Sequence, residues 1–459
     1  MGRKRAAGQG WAGVQVIHPN AAGLDIGSTE IWGAVAPMRT AVAVRKFGTY
    51  TPDLEALADW LMACGVDTVA MESTGVYWIP IFEILEARGL AVFVVNARHV
   101  KNVPGRKSDV QDCQWIQGLH SVGLLRGSFR PAGEITALRA YLRHRATLIK
   151  YRAGHIQHMQ KALAQMNVQL TQAVRDIVGV TGMAIIRAIV AGERDPKRLA
   201  AFRRPGVKKT ETEIAKALTG NYRPEHLFAL QQALTLYDTY SAQLAACDAE
   251  IERQFSNLKP ISDDLPPLPP STKRDSHSKN GPRYDARSHL YRITGVDLVA
   301  IAGLNESTVQ TIISEVGTDL SAFPTEKHFC SWLGLAPHND VSGGKRLRSQ
   351  TLKTDNRAGQ AFRLAAQSVA KSPATAFGAF YRRMKIRLGP KQAIVATAHK
   401  IARTFYHMLK HRTPFHDMGG DEYQRRARER EIKTLQKRAA KLGFALVEPA
   451  PVSVAAGSF

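Results

Sequence analysis

AGLDIGSTEIWGAVA, residues 22–36, decides the fold at the start of this chain. The stretch is short and β-prone, and a proline-containing break separates it from AVAVRKF at 41–47. Together the two read as a β-hairpin. Outward from it, DLEALADWLMAC at 53–64 carries apolar residues at helical spacing. A strand at 66–71, a helix at 76–88 and a strand at 90–95 complete a hairpin followed by helix–strand–helix–strand, the order of an α/β domain over 21–130. Ser108 opens a further short helix, with Gln111 three residues on as a capping box.

The chain is 459 residues long, enough for two or three domains that each bury a core. Against 39 Asp and Glu it carries 63 Lys and Arg, a formal net charge of +24. That excess recurs along the chain and favours a polyanionic partner, nucleic acid first. Cys64, Cys113, Cys247 and Cys330 are scattered with no CxxC pair, which argues against zinc and for reduced thiols in a cytoplasmic protein. No apolar run approaches the roughly 18 residues a membrane span needs, so no membrane partner is expected. The basic start, 1–20, lacks an apolar stretch behind it and reads as a disordered arm.

From Ile135 to Ile177, thirteen positions follow a 3.5-residue rhythm and eleven are apolar, predicting one long coiled-coil-like helix. A second rhythmic segment runs from Leu227 to Leu258, so that 131–258 forms a helical region, either a protruding antiparallel hairpin or a dimerising coil. Arg145 and Arg152 interrupt the seam and are expected to face RNA phosphate. Five prolines within 260–270 and a polar basic stretch make 259–288 a flexible linker. Beyond it, 289–412 is mainly helical, with short helices over 290–336 and longer ones at 359–387 and 391–410. The VAIAGLN turn in it resembles a helix–hairpin–helix phosphate grip. A basic helix at 422–441 and a disordered end occupy 413–459.

Asp25 lies on the first strand and Glu72 at the end of the third, while Asp109 and Asp112 lie three apart on one helix face. Carboxylates gathered in a strongly basic chain suit Mg²⁺, one ion or two, and a phosphodiester. In LGLAPHNDVSGGKRLR, 333–348, Ser342 precedes two glycines in a loop that a backbone can approach closely. Lys345, Arg346 and Arg348 beside it would neutralise a pentacovalent phosphate. A serine hydroxyl needs activation, and His338 and Asp340 are the local groups, neither assignable as its base.

GLDIGSTE, MESTGVYW and KSDVQDCQ together resemble the RuvC-like, ribonuclease-H-fold DEDD domain of an insertion-sequence transposase family related to the Piv-type invertases. The resemblance covers 20–125 and 290–410. It implies that Asp25, Glu72, Asp109 and Asp112 are the metal ligands. It also implies that Ser342, five residues after Pro337 of the Gly-Leu-x-Pro turn, is the catalytic serine. Family members are basic just downstream, where this chain has Lys353, Asn356 and Arg357. The implied activity is excision and insertion of DNA by strand exchange through a phosphoserine. The implied partners are donor and target DNA and a structured non-coding bridge RNA, with the chain as a homodimer or homotetramer acting at the nucleoid. Two rivals stand beside it. One is a Holliday-junction nuclease that uses water as the nucleophile; the other is a non-catalytic nucleic-acid-binding scaffold.

Overall fold

The computed structural model describes residues 15–72, 75–96, 109–131, 133–271, 278–351 and 354–447. Most of the basic arm, Ser73 and Thr74 of the MESTGVY motif, the Ser108 cap, part of the linker, Lys353 and the chain's end lie outside them. The chain forms two compact units, Met1–Arg130 and Pro131–Phe459.

In the first unit β1 (Ala21–Ile26), β2 (Ile31–Val35) and β3 (Val44–Phe47) are successive antiparallel strands. The stretch 22–36 is therefore a hairpin by itself, not one arm of a hairpin completed by 41–47. The turn at 27–30, where Gly27 N–H donates to the Glu30 carbonyl at 2.9 Å, makes the extra reversal. Next come α1 (Thr51–Ala63), β4 (Thr68–Glu72), α2 (Trp78–Ala87), β5 (Ala91–Val95) and α3 (Asp109–Ser121). The sheet order is β3-β2-β1-β4-β5, with β1, β4 and β5 parallel and only β2 running against them. That is the arrangement a ribonuclease-H-like reading requires. Glu72 consequently ends the fourth strand in sequence rather than the third.

Side chains alternate across each strand. Leu24, Ile26, Val69 and Met71 face a core shared with Leu57, Leu61, Ile81 and Leu85 of α1 and α2. Ala70 and Val95 face the other way, onto Ile116 and Leu119 of α3.

The second unit is mainly helical. α4 (Glu134–Gln165) is followed by the short helices α5 (Leu170–Ala173), α6 (Val180–Val190), α7 (Pro196–Ala200) and α8 (Glu211–Ala217), and then by α9 (Pro224–Asn257). The rhythm read through to Ile177 overran the helix, because α4 stops at Gln165. Asn167 takes a left-handed φ of 56°, and the Asn167 and Val168 N–H groups donate to Ala164 and Leu163 carbonyls. This is a Schellman ending, which closes the last turn and leaves no donor to continue it. α5–α8 then share a core with the ends of α4 and α9, in which Ile185, Ile186, Leu199 and Ile214 meet Leu163 and Leu230.

α4 and α9 pair antiparallel within one chain, and their seam polar residues explain why. Arg145 Nε lies 2.5 Å from Asp248 Oδ1, and its other nitrogens donate to the Asn280 and Gly281 carbonyls at 3.0 and 2.8 Å. Arg152 donates to Asn280 Oδ1 at 2.8 Å. Both arginines are 8% exposed, so the expectation that they face RNA phosphate fails: protein oxygens occupy their guanidinium groups. Glu315 is buried between Arg139 and Arg143, each 2.9 Å away, and this ties α4 to the helices after the proline-rich stretch.

Those later elements are α10 (Ala286–Thr294), α11 (Glu306–Val316), α12 (Glu326–Trp332), β6 (Pro337–Ser342), β7 (Lys345–Thr351), α13 (Arg357–Ala370), α14 (Ala376–Leu388), α15 (Pro390–His411) and α16 (Gly420–Lys441). The helix read at 359–387 is two, broken where Thr375 caps α14 through Gly378 N–H. Phe329, Phe362, Phe405 and Tyr406 fill the core, and the Tyr406 hydroxyl donates to Phe323 O at 2.7 Å. No helix among the described residues is long and apolar enough to cross a membrane.

Removing one member of a buried ion pair strands the other, at a cost of about 3–5 kcal/mol. Asp248→Ala is therefore expected to lower the stability of the nucleic-acid-free protein by ~3 kcal/mol in urea denaturation. Unchanged stability would mean Arg145 does not depend on Asp248.

Candidate nucleic-acid-processing site

Each unit carries one of the two centres expected from the sequence. In the first, β1 and β4 are parallel neighbours with Leu24 opposite Met71. The next residues along, Asp25 and Glu72, therefore emerge side by side on the opposite face, the one α3 covers. The approach of α3 is unusually close. A Cβ at Gly23 would lie 2.3 Å from Gln117 N and 2.5 Å from Cys113 O, so only glycine lets the helix backbone rest on the strand. Asp25 follows Gly23 by two residues on the same face. Asp112 immediately precedes Cys113, and Asp109 lies one turn earlier on α3.

The electrostatics register this gathering. Burial, and then the charges of Asp109, Asp112 and Glu72, push the Asp25 carboxyl up to about 6. Burial with the Asp25 charge behind it pushes the Cys113 thiol up to about 12, which makes that cysteine a packing residue and not a nucleophile. Among the described residues no three His, Cys, Asp or Glu side chains close into a group that would by itself hold a metal ion. The donor set still fits a hard cation of the magnesium kind. Such an ion takes one or two protein carboxylates and keeps water or phosphate oxygens for the rest of its shell. The mutual repulsion felt at Asp25 is also what a cation would relieve.

The second centre is not a loop. Ser342 ends β6 and Lys345 begins β7, with Gly343 and Gly344 as a two-residue turn. Both glycines have left-handed φ, 53° and 75°, while a Cβ at either would meet nothing within 4 Å. Backbone conformation alone demands glycine there, as in a type I′ hairpin. The register sets Ser342 opposite Lys345, Val341 opposite Arg346 and Asp340 opposite Arg348, with a bulge beyond Asp340. Hydroxyl and ammonium are thus cross-strand neighbours at the tip of the ribbon. β6 and β7 are exposed almost throughout, and Val341 and Leu347 stand in solvent at 62% and 72% exposure. His338 Nδ1 lies 3.9 Å from Asp340 Oδ1, lower on the ribbon than Ser342.

Downstream, Asn356 Oδ1 accepts from Gly359 N–H at 2.8 Å and caps α13, and Arg357 is exposed at its first turn. Arg357 lines a cavity of about 540 Å³ together with Arg143 and Lys150 of α4. Arg143 and Lys150 escaped the sequence reading because only the packing of α4 brings them to Arg357, which lies far downstream in the chain. Gly23 escaped it for the same reason: its neighbour is α3, not a turn.

Two family models match the chain. One, of the IS110 DEDD type and described as Transposase, matches residues 22–168. The other, described as Transposase IS116/IS110/IS902 family, matches residues 297–382. The first extends through α4, so the segment between the two models, from 168 to 297, is shorter than the resemblance implied. No curated protein matches the chain.

Asp25 ionises near 3.8 when unperturbed and near 6 in the folded protein. Above pH 6 the native state therefore holds a charge its surroundings oppose, and below that pH the bound proton relieves it. Asp25→Asn should raise the melting temperature of the metal-free protein at pH 8, with the gain shrinking as pH falls through 6 towards 4. Added Mg²⁺ should raise the melting temperature of the wild type more than that of the variant. A gain that does not vary with pH would disprove the charge gathering at Asp25.

Proposed function

The chain belongs to the IS110 family of transposases, and on that premise we propose that it excises and inserts DNA by strand exchange through a phosphoserine at Ser342. As a DNA transposase it acts on donor and target DNA, and the DEDD domain points to use of a divalent metal. The observation that carries the serine reading is the ribbon: an exposed hydroxyl at its tip, held by a Gly-Gly turn, with Lys345 as cross-strand partner.

In this reading Ser342 Oγ attacks the scissile phosphorus. An O–P bond to serine forms as the bond to the leaving deoxyribose oxygen breaks, and the serine proton leaves with solvent or that oxygen. Attack by the hydroxyl of the exchanged strand reverses the step, joins the new strand and frees Ser342. The bond energy is conserved, so no ATP is needed, and the sequence has no GxxxxGK[ST] loop to bind it. The Lys345 ammonium offsets the charge that builds on the phosphate. Arg346, Arg348 and Arg357 hold the flanking backbone, and Lys353 lies between them in sequence. Asp25, Glu72, Asp109 and Asp112 would hold one or two Mg²⁺ ions, whose chemistry when bound is to polarise phosphoryl oxygens and steady the leaving oxygen.

We further propose a structured guide RNA and assembly as a dimer or tetramer. The +24 net charge supports the RNA, since it exceeds what one DNA contact surface needs. With an RNA guide, base pairing would choose the sites while protein cations grip backbones.

On a nicked substrate that traps the intermediate, wild type should give a protein–DNA band that survives denaturation and that Ser342→Ala lacks, while DNA binding persists. Cleavage by Ser342→Ala at the wild-type rate would make water the nucleophile and the protein a junction nuclease in mechanism.

A further inference from the structure

Neither family model reaches α15 or α16, yet these two helices, with α14 and the 412–419 connection, enclose a cavity of about 510 Å³. Its walls combine two kinds of surface. Phe377 and Phe415 lie nearly parallel, 15° apart with ring centres 6.1 Å apart, and form an apolar aromatic side. Lys400 stands on another side, its Nζ 4.5 Å from the Phe380 ring centre and 4.4 Å from that of Tyr423.

The charge here is one-sided. Arg383, Arg403 and Arg430 all act on Lys400, and no carboxylate does. Burial first, and then those like charges, bring the ammonium down to about 8. The cavity's one acid, Asp417, has Oδ1 committed to the Ala376 and Gly419 N–H groups, where it braces the loop. Arg403 is half exposed, and its only ion pair among the described residues is with Glu326, at 3.2 Å. A folded protein that packs a lysine among arginines, with no carboxylate among the described residues acting on the lysine itself, leaves an anion's place open. Aromatic faces beside that place suit a planar ring.

We propose that this cleft holds one unstacked nucleotide of a single-stranded nucleic-acid segment, its base against Phe377 and Phe415 and its phosphate on Lys400 and Arg403. A basic peptide would face Lys400 and Arg403, and an acidic one would leave the aromatic wall without a planar partner. A paired base stays in its stack and does not turn into a cleft between helices. An unpaired nucleotide carries both the ring and the charge, the combination by which single strands are gripped without regard to sequence. The inference rests on the chain being a nucleic-acid enzyme but not on Ser342 chemistry.

The test is photocrosslinking of the full-length protein to oligonucleotides that carry 5-iodouracil, with adducts mapped by mass spectrometry. One arm uses single-stranded RNA, a second single-stranded DNA, and a third the same DNA as duplex. Crosslinks at Phe377, Phe415 or Tyr423 in a single-stranded arm are expected, and the arm that gives them identifies the strand. Crosslinks confined to other regions, or equal yield from duplex, would overturn the proposal. Loss of one stacked base weakens binding about tenfold, so Phe415→Ala should raise Kd for the crosslinking oligonucleotide by that factor. Arg403→Gln, exposed and free of core packing, should flatten the log–log salt dependence by about 0.7, one phosphate's worth on a single strand. Unchanged Kd and slope in both variants would dismiss the cleft. Crosslinking requires no strand cleavage, so its outcome is independent of whether Ser342 is the nucleophile.

Discussion

A side chain at position 23 would collide with the backbone of α3, which passes within 2.5 Å of where its Cβ would stand. That contact decides where the helix lies, and with it where Asp109 and Asp112 lie. Strand pairing independently sets Asp25 beside Glu72, because β1 and β4 are parallel and in register up to Leu24 and Met71. The acidic centre is the intersection of these two constraints. Its penalty is visible in Asp25, whose carboxyl is pushed up to about 6 by burial first and then by its acidic neighbours. Such repulsion is what a cation at this place would relieve.

Polar residues on a coiled-coil seam are ambiguous, since they can point outward to a ligand or inward to a partner. Here Asp248 settles the matter. Once α9 folds back on α4, Arg145 meets a carboxylate and two carbonyls, and burial becomes tolerable because the charge and the donors are satisfied. The same pairing draws the 278–281 backbone onto the helical hairpin, so the polar stretch after the prolines is partly a clamp as well as a connection. Lys345 and Arg346 of the ribbon, with Lys150 and Arg357, stay exposed instead.

The ribbon works on the opposite principle. It buries almost nothing, and its shape comes from two consecutive left-handed glycines and a ladder of backbone hydrogen bonds. An element held by its own backbone can stand in solvent and enter a DNA groove without unfolding. Ser342 gains its position from that geometry, and Lys345 becomes its neighbour by register, not by sequence distance.

Much of this was legible in the residues. The α/β order, the helical remainder, the basic tail helix and the four acids followed from local periodicity and charge, which neighbouring residues encode directly. The helix end at Asn167 was not read, because the apolar rhythm runs past it to Ile177. The third strand, the ribbon and the break at Thr375 depended on turns whose conformations several sequences share. What only tertiary structure decided is every relation between distant segments: α3 against Gly23, Asp248 against Arg145, Lys150 beside Arg357, and a tail helix that closes a cleft over Lys400. Local pattern determines which face of an element is apolar or charged; which partner meets that face depends on packing the whole chain at once, and no single stretch of sequence contains that information.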